Sequence, residues 1–289
     1  MIPASWETNL SATSRAGTTL TASGTPHAEG AWVELLASTA ATVEKIAFRI
    51  RNVAVNATDT GMLVDLATGA AASEAAFLNN LDSGGAEVGS ASTVSQGRTY
   101  SFPKRIAAST RVSARPQATV ASDTAEVAIM LGQGCVHVEN VGNWVTYGAN
   151  AAASIGTSTP QGSGAYGAWT EIGTTSEAHN LFFVGFDALA DTTTAQRDVL
   201  VKIGYGATAP GSGGTEISAV WHFGAGAGTE AVAGPFPDWS VYAVVGSGVK
   251  LWAAIASGET ENRGIIIYGA TGTVVTAGGG FKNFYPGQS

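Results

Sequence analysis

Charged side chains are scarce in this chain of 289 residues: Asp, Glu, Lys and Arg make up 12% of it, against about 25% in typical soluble proteins. What charge there is leans acidic, with 14 Lys and Arg against 22 Asp and Glu and a formal net charge of −8. Binding to a phosphate backbone needs clustered cations that release counterions, so nucleic acid is not an expected partner. A single cysteine, Cys135, cannot close an internal disulfide, and the fold must be held by its core and its hydrogen bonds. No apolar run approaches the ~20 residues of a membrane span, and the start Met1-Ile2-Pro3-Ala4 lacks the basic and apolar regions of a signal peptide. The expectation is a chain with no membrane partner, made and kept in a cytoplasm until it is assembled or released.

Residues for chemistry are equally thin. The four histidines, His27, His137, His179 and His222, fall singly in different segments, without the convergent spacing of a metal site. Asp187, Asp191 and Asp198 flank one loop and have oxygen-ligand chemistry, but the pattern is loose and reads as a solvated acidic loop. There is no GxSxG elbow, no Gly-Lys-Ser/Thr loop and no Cys with a His partner in sequence context. Gly224-Ala225-Gly226-Ala227-Gly228 lacks the following amphipathic helix that would aim backbone N–H groups at a phosphate. The chain is expected to be no enzyme, with no catalytic residue, cofactor or metal.

What is abundant is glycine, at 38 residues, together with Ser, Thr and Ala. Glycine supplies positive φ in tight turns, and Thr tolerates a half-exposed pleated position. Self-similarity is the most informative feature, because a repeat fixes the architecture. Gly30-Ala31-Trp32-Val33-Glu34-Leu35 recurs as Gly167-Ala168-Trp169-Thr170-Glu171-Ile172, each after a Thr-Pro pair, Thr25-Pro26 and Thr159-Pro160. Ile46 to Ile50 parallels Leu181 to Phe186, and Met62 to Leu66 parallels Val199 to Ile203. Phe102-Pro103 is set against Phe236-Pro237, and Arg111 to Arg115 against Lys250 to Ala254. Each copy closes on an apolar block, Glu126 to Leu131 and Gly264 to Tyr268.

These blocks alternate with period two. Ile46, Phe48 and Ile50 share one face while Lys45, Arg49 and Arg51 share the other. Short alternating segments between turn-rich stretches indicate an all-β chain of two tandem antiparallel β-sandwich, jelly-roll-like domains from an internal duplication. The expected layout is an N-terminal arm over 1–14, copy one over 15–132, a linker over 133–143, and copy two with a C-terminal tail over 144–289. The Ala-rich stretch 70–81 is expected to be a loop or one short turn. Glu34 and Glu171 hold equivalent places and are expected to act structurally, bonding to backbone at a strand end.

Of 7 Trp, 7 Tyr and 10 Phe, only Trp6, Trp32, Phe48, Phe77, Tyr100 and Phe102 lie before the linker. Exposed Trp and Tyr favour protein interfaces and also stack on sugar rings, so the surplus in copy two reads as core, subunit interface or glycan platform. Copy one instead carries Arg98, Lys104, Arg105, Arg111 and Arg115, either a solvated strand face or one suited to an acidic partner. The candidate interface residues are Trp6, Arg105, Arg111, Arg115, Trp239, Tyr242, Phe281, Phe284 and Tyr285.

Trp32-Val33-Glu34-Leu35, followed by Phe102-Pro103-Lys104-Arg105-Ile106-Ala107-Ala108-Ser109-Thr110-Arg111-Val112-Ser113-Ala114-Arg115, resembles a pattern in small β-sandwich modules of tailed-bacteriophage virion proteins. The pattern has proline after the isoleucine, where this chain has Ala107, and copy two keeps only Phe236-Pro237 and the strand after it. The resemblance implies a virion structural protein made in the bacterial host cytoplasm, foremost a capsid decoration (cement) protein. Its partners would be the major capsid protein or other virion proteins, and it would be a homo-oligomer with a trimer favoured. Two other readings stay open: a tail or fibre component binding host glycan through copy two, and a secreted carbohydrate-active enzyme or its binding module.

Overall fold

A computed structural model of the chain describes residues 5–11, 17–53, 60–86, 98–133, 138–139, 141–149, 156–187, 197–217, 220–225, 241–257 and 262–274. Every regular element among them is a strand. The first half holds β1 (Ser5–Thr8), β2 (Thr18–Thr21), β3 (Val33–Leu36), β4 (Val43–Val53), β5 (Thr60–Thr68), β6 (Ala75–Ala86), β7 (Arg98–Ile106), β8 (Val112–Ala118) and β9 (Thr124–Gln133). At the join lies β10 (Val138–Glu139). The second half holds β11 (Val145–Tyr147), β12 (Thr157–Ser163), β13 (Thr170–Thr174), β14 (His179–Asp187), β15 (Arg197–Tyr205) and β16 (Thr215–Glu216). It continues with β17 (Trp221–Ala225), β18 (Val241–Val245), β19 (Lys250–Ser257), β20 (Asn262–Ala270) and β21 (Thr273–Val274).

In the first half, one sheet runs β1-β9-β4-β7 with β2 also on β9, and the other runs β3-β8-β5-β6. Ile46, Phe48 and Ile50 pair with Leu131, Ile129 and Val127 and turn to one side; Met62, Val64 and Leu66 of the facing sheet pack into the same buried cluster. Period two thus delivers a sandwich core, each such side chain contributing about 1.5–3 kcal/mol of burial. In the second half β12 joins the two layers into one ten-stranded sheet. Its first residues, Thr157 to Pro160, pair antiparallel with β20, and Gln161 to Ser163 pair parallel with β19.

The pairings of the first half recur in the second. β3 on β8 and β13 on β19 carry the same register, Glu34 opposite Ser113 and Glu171 opposite Trp252, each followed by a bulge. β8-β5 matches β19-β15, and β9-β4-β7 matches β20-β14-β18. Thr39 and Thr175 anchor the same turn: each donates its hydroxyl to a backbone carbonyl, Ala107 and Gly246, and accepts a backbone N–H, from Thr110 and Val249. The turn needs positive φ at one place, supplied by Ser109 (59°) and Gly248 (74°).

Two expectations need correction. Residues 75–86 form strand β6 rather than a loop or turn. Glu74, Phe77, Leu78 and Leu81 have helical spacing, yet bulges opposite Leu66 and Val64 set both Phe77 and Leu78 inside, and β5 offers an edge to pair with. The match of Phe102-Pro103 with Phe236-Pro237 also fails by register. Phe102 lies opposite Ile46 and Pro103 opposite Lys45, while the equivalent Phe182 and Leu181 lie opposite Val241 and Tyr242. Residues 236–237 lie outside the described residues.

The stretch expected as a linker is structured where it is described. β10 pairs with β21, and Val141 is buried in the first-half cluster. That cluster also takes in Trp144, Leu181, Phe183, Ile266, Tyr268 and Ala270 of the second half. β14 and β20 are therefore buried on both faces: Phe182, Val184, Phe186, Ile265 and Ile267 face their own sandwich, and the alternate residues face the first half.

Candidate functional site

The contact between the halves is the densest assembly of aromatic side chains among the described residues. β6 and β7 are the edges of the two first-half sheets, and aromatic side chains of the second half pack against both. Phe183 stacks on Phe102 (centroids 5.6 Å, planes 10° apart) and on Tyr268 (4.4 Å, 21°), with Trp144 edge-on to Phe183 at 4.8 Å. Polar handles fix the depth. The Tyr268 hydroxyl donates to Asn80 O (2.9 Å) and accepts from Asp82 N (3.1 Å), while Tyr100 donates to Asp82 O (2.8 Å). Trp144 N donates to Phe77 O (2.7 Å) and its indole Nε1 to Pro103 O (3.3 Å). The aromatic surplus of the second half is thus spent in good part inside the molecule.

Lys104 belongs to the same seam. Its ammonium donates to Gly142 O and Asn143 Oδ1, both at 3.1 Å, and lies 5.3 Å from the Phe77 ring centroid. Burial lowers its pKa, and the oxygens and ring face are what keep the cation tolerable there.

The expected basic face is largely consumed within the chain. Arg111 pairs with Glu34 (2.9 Å) and Glu74 (2.8 Å). Its hydrogen bond holds the Glu74 carboxyl below the usual range, and the Arg111 pKa is raised by the same bond. Arg115 pairs with Asp65 (2.8 Å) and Glu29 (2.5 Å) and lies 4.5 Å over Trp32. The second half rebuilds this with a cation from the other strand. Lys202, in the place of Asp65, lies 4.3 Å from the Tyr166 ring and 5.0 Å from Trp169, and pairs with Glu216 at 3.0 Å. Burial, and then the Glu216 charge, raises the Tyr166 pKa.

Glu34 and Glu171 do act structurally, but through side chains: Glu34 on Arg111 and Glu171 on Lys250 (2.7 Å), the equivalent position of β19. The backbone bonds expected of them are replaced because the neighbouring strand sets a cation within reach.

His179 is buried at the place of Val43 in the first half. Its Nε2 lies 2.6 Å from the Tyr147 hydroxyl, and its ring covers Gly269, where an added Cβ would meet the imidazole at 2.8 Å. Nδ1 has no hydrogen-bond partner. Burial lowers the His179 pKa, opposed by the charge of Glu177.

Of the other candidate interface residues, Trp6 on β1 is 40% exposed, Arg105 on β7 is exposed, and Tyr242 on β18 is 58% exposed. Trp239, Phe281, Phe284 and Tyr285 lie outside the described residues, as does Asp191. Val244, 67% exposed beside Tyr242, carries no mark in the sequence, because only the strand register shows which of five apolar residues points outward. Among the described residues no three His, Cys, Asp or Glu side chains group as metal ligands, and no helix is long and apolar enough to cross a membrane.

No family model matches the chain, and no curated protein does. Among solved structures it is similar to the STIV MCP, a viral major capsid protein, at 9% identity and TM-score 0.33, covering 93% of this chain and 97% of that one. It is similar to PNGF-II at 8% identity and TM-score 0.32, covering 89% of this chain and 66% of that one. A third is the CBM22-1-CBM22-2 tandem domain from Paenibacillus barcinonensis Xyn10C, at 9% identity and TM-score 0.20, covering 81% and 82%. At these identities and scores the likenesses carry no argument about function.

Proposed function

We propose that the chain is a non-enzymatic structural protein of a tailed-bacteriophage virion, a homo-oligomeric capsid decoration (cement) protein built from two copies of one duplicated β-sandwich unit. The observation that carries this reading is where the large side chains end up. Lys104, Arg111 and Arg115 are tied to carboxylates or to amide and backbone oxygens, while Trp6, Tyr242 and Val244 stand exposed on terminal strands. Such a surface is suited to contact, because interface energy comes from aromatic and apolar anchors rather than from charge. The equivalent strand orders and the repeated Thr39 and Thr175 turns support duplication. The phage setting, the capsid partner and the virion location rest on the module resemblance.

Mass spectrometry and gold labelling of purified particles test it: the chain should decorate heads, and its deletion should lower the temperature at which heads release DNA. Absence from particles would overturn the reading. One observation favours a second reading, glycan binding by a tail component. Tyr166, Trp169 and Trp252 are half-buried on the outer layer of the second half, where the first half has Glu29, Trp32 and Ser113. Binding on a glycan array, lost in Trp252→Ala, would promote it.

A further inference from the structure

Strand β18 presents a feature that no other described residue of the molecule uses. Val241, Ala243 and Val245 turn into the second-half core, and Tyr242 and Val244 point to the other side, 58% and 67% exposed. β18 ends its sheet: β14 pairs with one edge, and among the described residues no strand pairs with the other. Its sequence Val-Tyr-Ala-Val-Val has no charge, whereas the equivalent residues of β7 include Lys104 and Arg105. Uncharged apolar edges invite strand addition, and soluble proteins ordinarily blunt them with Lys, Pro or a cover.

The pattern of exposure identifies what fits. In an antiparallel pair of two β18 strands related by a two-fold axis at Ala243, Tyr242 of each copy lies beside Val244 of the other, on one face. Both exposed side chains of both copies then gain an apolar neighbour, and no like charges meet. Tyr242 lies opposite Leu181, on the face that Leu181 and Phe183 bury against the first half, so the strip extends an interface the chain already builds. We propose that β18 is a self-association edge, and that two copies of this chain join β18 to β18 in this register into one continuous sheet. This deepens the homo-oligomer part of the function proposed above, and it makes the contact two-fold where the resemblance favours a trimer. Five-residue strands bury less than the roughly 1,200–2,000 Å² of a standard interface, so the association is expected to be reversible.

The test is sedimentation velocity and light scattering on the full chain over a wide concentration range. The expected result is a concentration-dependent mass of two chains, with Tyr242→Lys and Val244→Lys each weakening association by at least about tenfold, a loss of roughly 1.4 kcal/mol. Their thermal midpoints should match the parent, because both side chains are in solvent, and Val244→Ile should associate as the parent does. Register is read by cross-linking in a Cys135→Ser background. A Tyr242→Cys chain mixed with a Val244→Cys chain should form a disulfide on oxidation, while neither alone should, since residue 244 sits diagonally to its own copy at about 7–8 Å. A monomer at every concentration, a three-chain mass, or Lys variants that associate normally would overturn the proposal. Particle labelling is independent of it: a monomer found on heads sinks only this contact, and a β18 dimer absent from particles sinks only the virion reading.

Discussion

The outer faces of two equivalent sheets have the same backbone and opposite fates. On β4 and β9 the outward positions are Lys45, Ala47, Arg49, Ala128 and Met130, and Met130 is 39% exposed. On β14 and β20 the same register positions are Leu181, Phe183, Gly185, Ile266 and Tyr268; the apolar four are all buried. Strand pairing is satisfied by backbone alone in both cases, so it does not decide which face meets water. Side chains decide it, and here they turn one sandwich face into the plug for another. Gly185 contributes by having no side chain: a Cβ there would meet the Tyr268 ring at 3.0 Å.

The sharpest way to break that comparison is Phe183→Ala. It removes the ring that stacks on both Phe102 and Tyr268, and should cost about 3–5 kcal/mol in denaturant unfolding. If the halves proved to unfold independently with the loss confined to the second, the seam would be energetically minor. Tyr268→Phe keeps the stack and removes only the hydroxyl shared by Asn80 O and Asp82 N; the expected loss is about 1–3 kcal/mol, from buried partners left unsatisfied.

His179 sharpens the comparison through pH. Its folded pKa is lowered by burial, so its contribution is complete above the unfolded value of about 6.5 and is lost as pH falls below it. Thermal midpoints should therefore drop as pH falls below about 6.5, and His179→Val, which restores the residue type of Val43, should flatten the slope. A slope unchanged in the variant would remove His179 from the account.

The smallest effects should fall on the solvated counterparts. Ala47→Phe places the Phe183 side chain at the equivalent, half-buried position and should shift stability by less than about 1 kcal/mol. Lys250→Ala breaks an ion pair with Glu171 whose side chains are 43% and 39% exposed, and should cost less than about 1 kcal/mol. A larger loss in either would mean that the first-half face or the exposed pair has a partner of its own.

Much of the architecture is legible in the residues, and the candidate site much less so. The alternation of Ile46, Phe48 and Ile50 reports a sandwich strand because a pleated backbone sends every second side chain to one side. The equivalence of Asp65 with Lys202 is also readable from the aligned blocks. The strand at 75–86 is not, because bulges let Phe77 and Leu78 both point inward and imitate helical spacing. Nor is the fate of the basic run: Arg111 and Arg115 look available in sequence, and find carboxylates 77, 37 and 50 residues away at Glu34, Glu74 and Asp65.

By itself the sequence determined the properties that local chemistry sets: an all-β chain, two similar successions of strands, a low and acidic charge, and one cysteine unable to form an internal disulfide. Only the tertiary structure decided that Phe183, Tyr268 and Trp144 belong to a seam within the molecule while Tyr242 and Val244 do not. The physical reason is that an apolar residue on the outer face of a sheet carries no local mark of what will cover it. Cover is a matter of which distant edge, here β6 and β7, lies open at the right depth, with carbonyls at Asn80 and Pro103 placed to receive the polar tips and that of Phe77 the Trp144 backbone N–H.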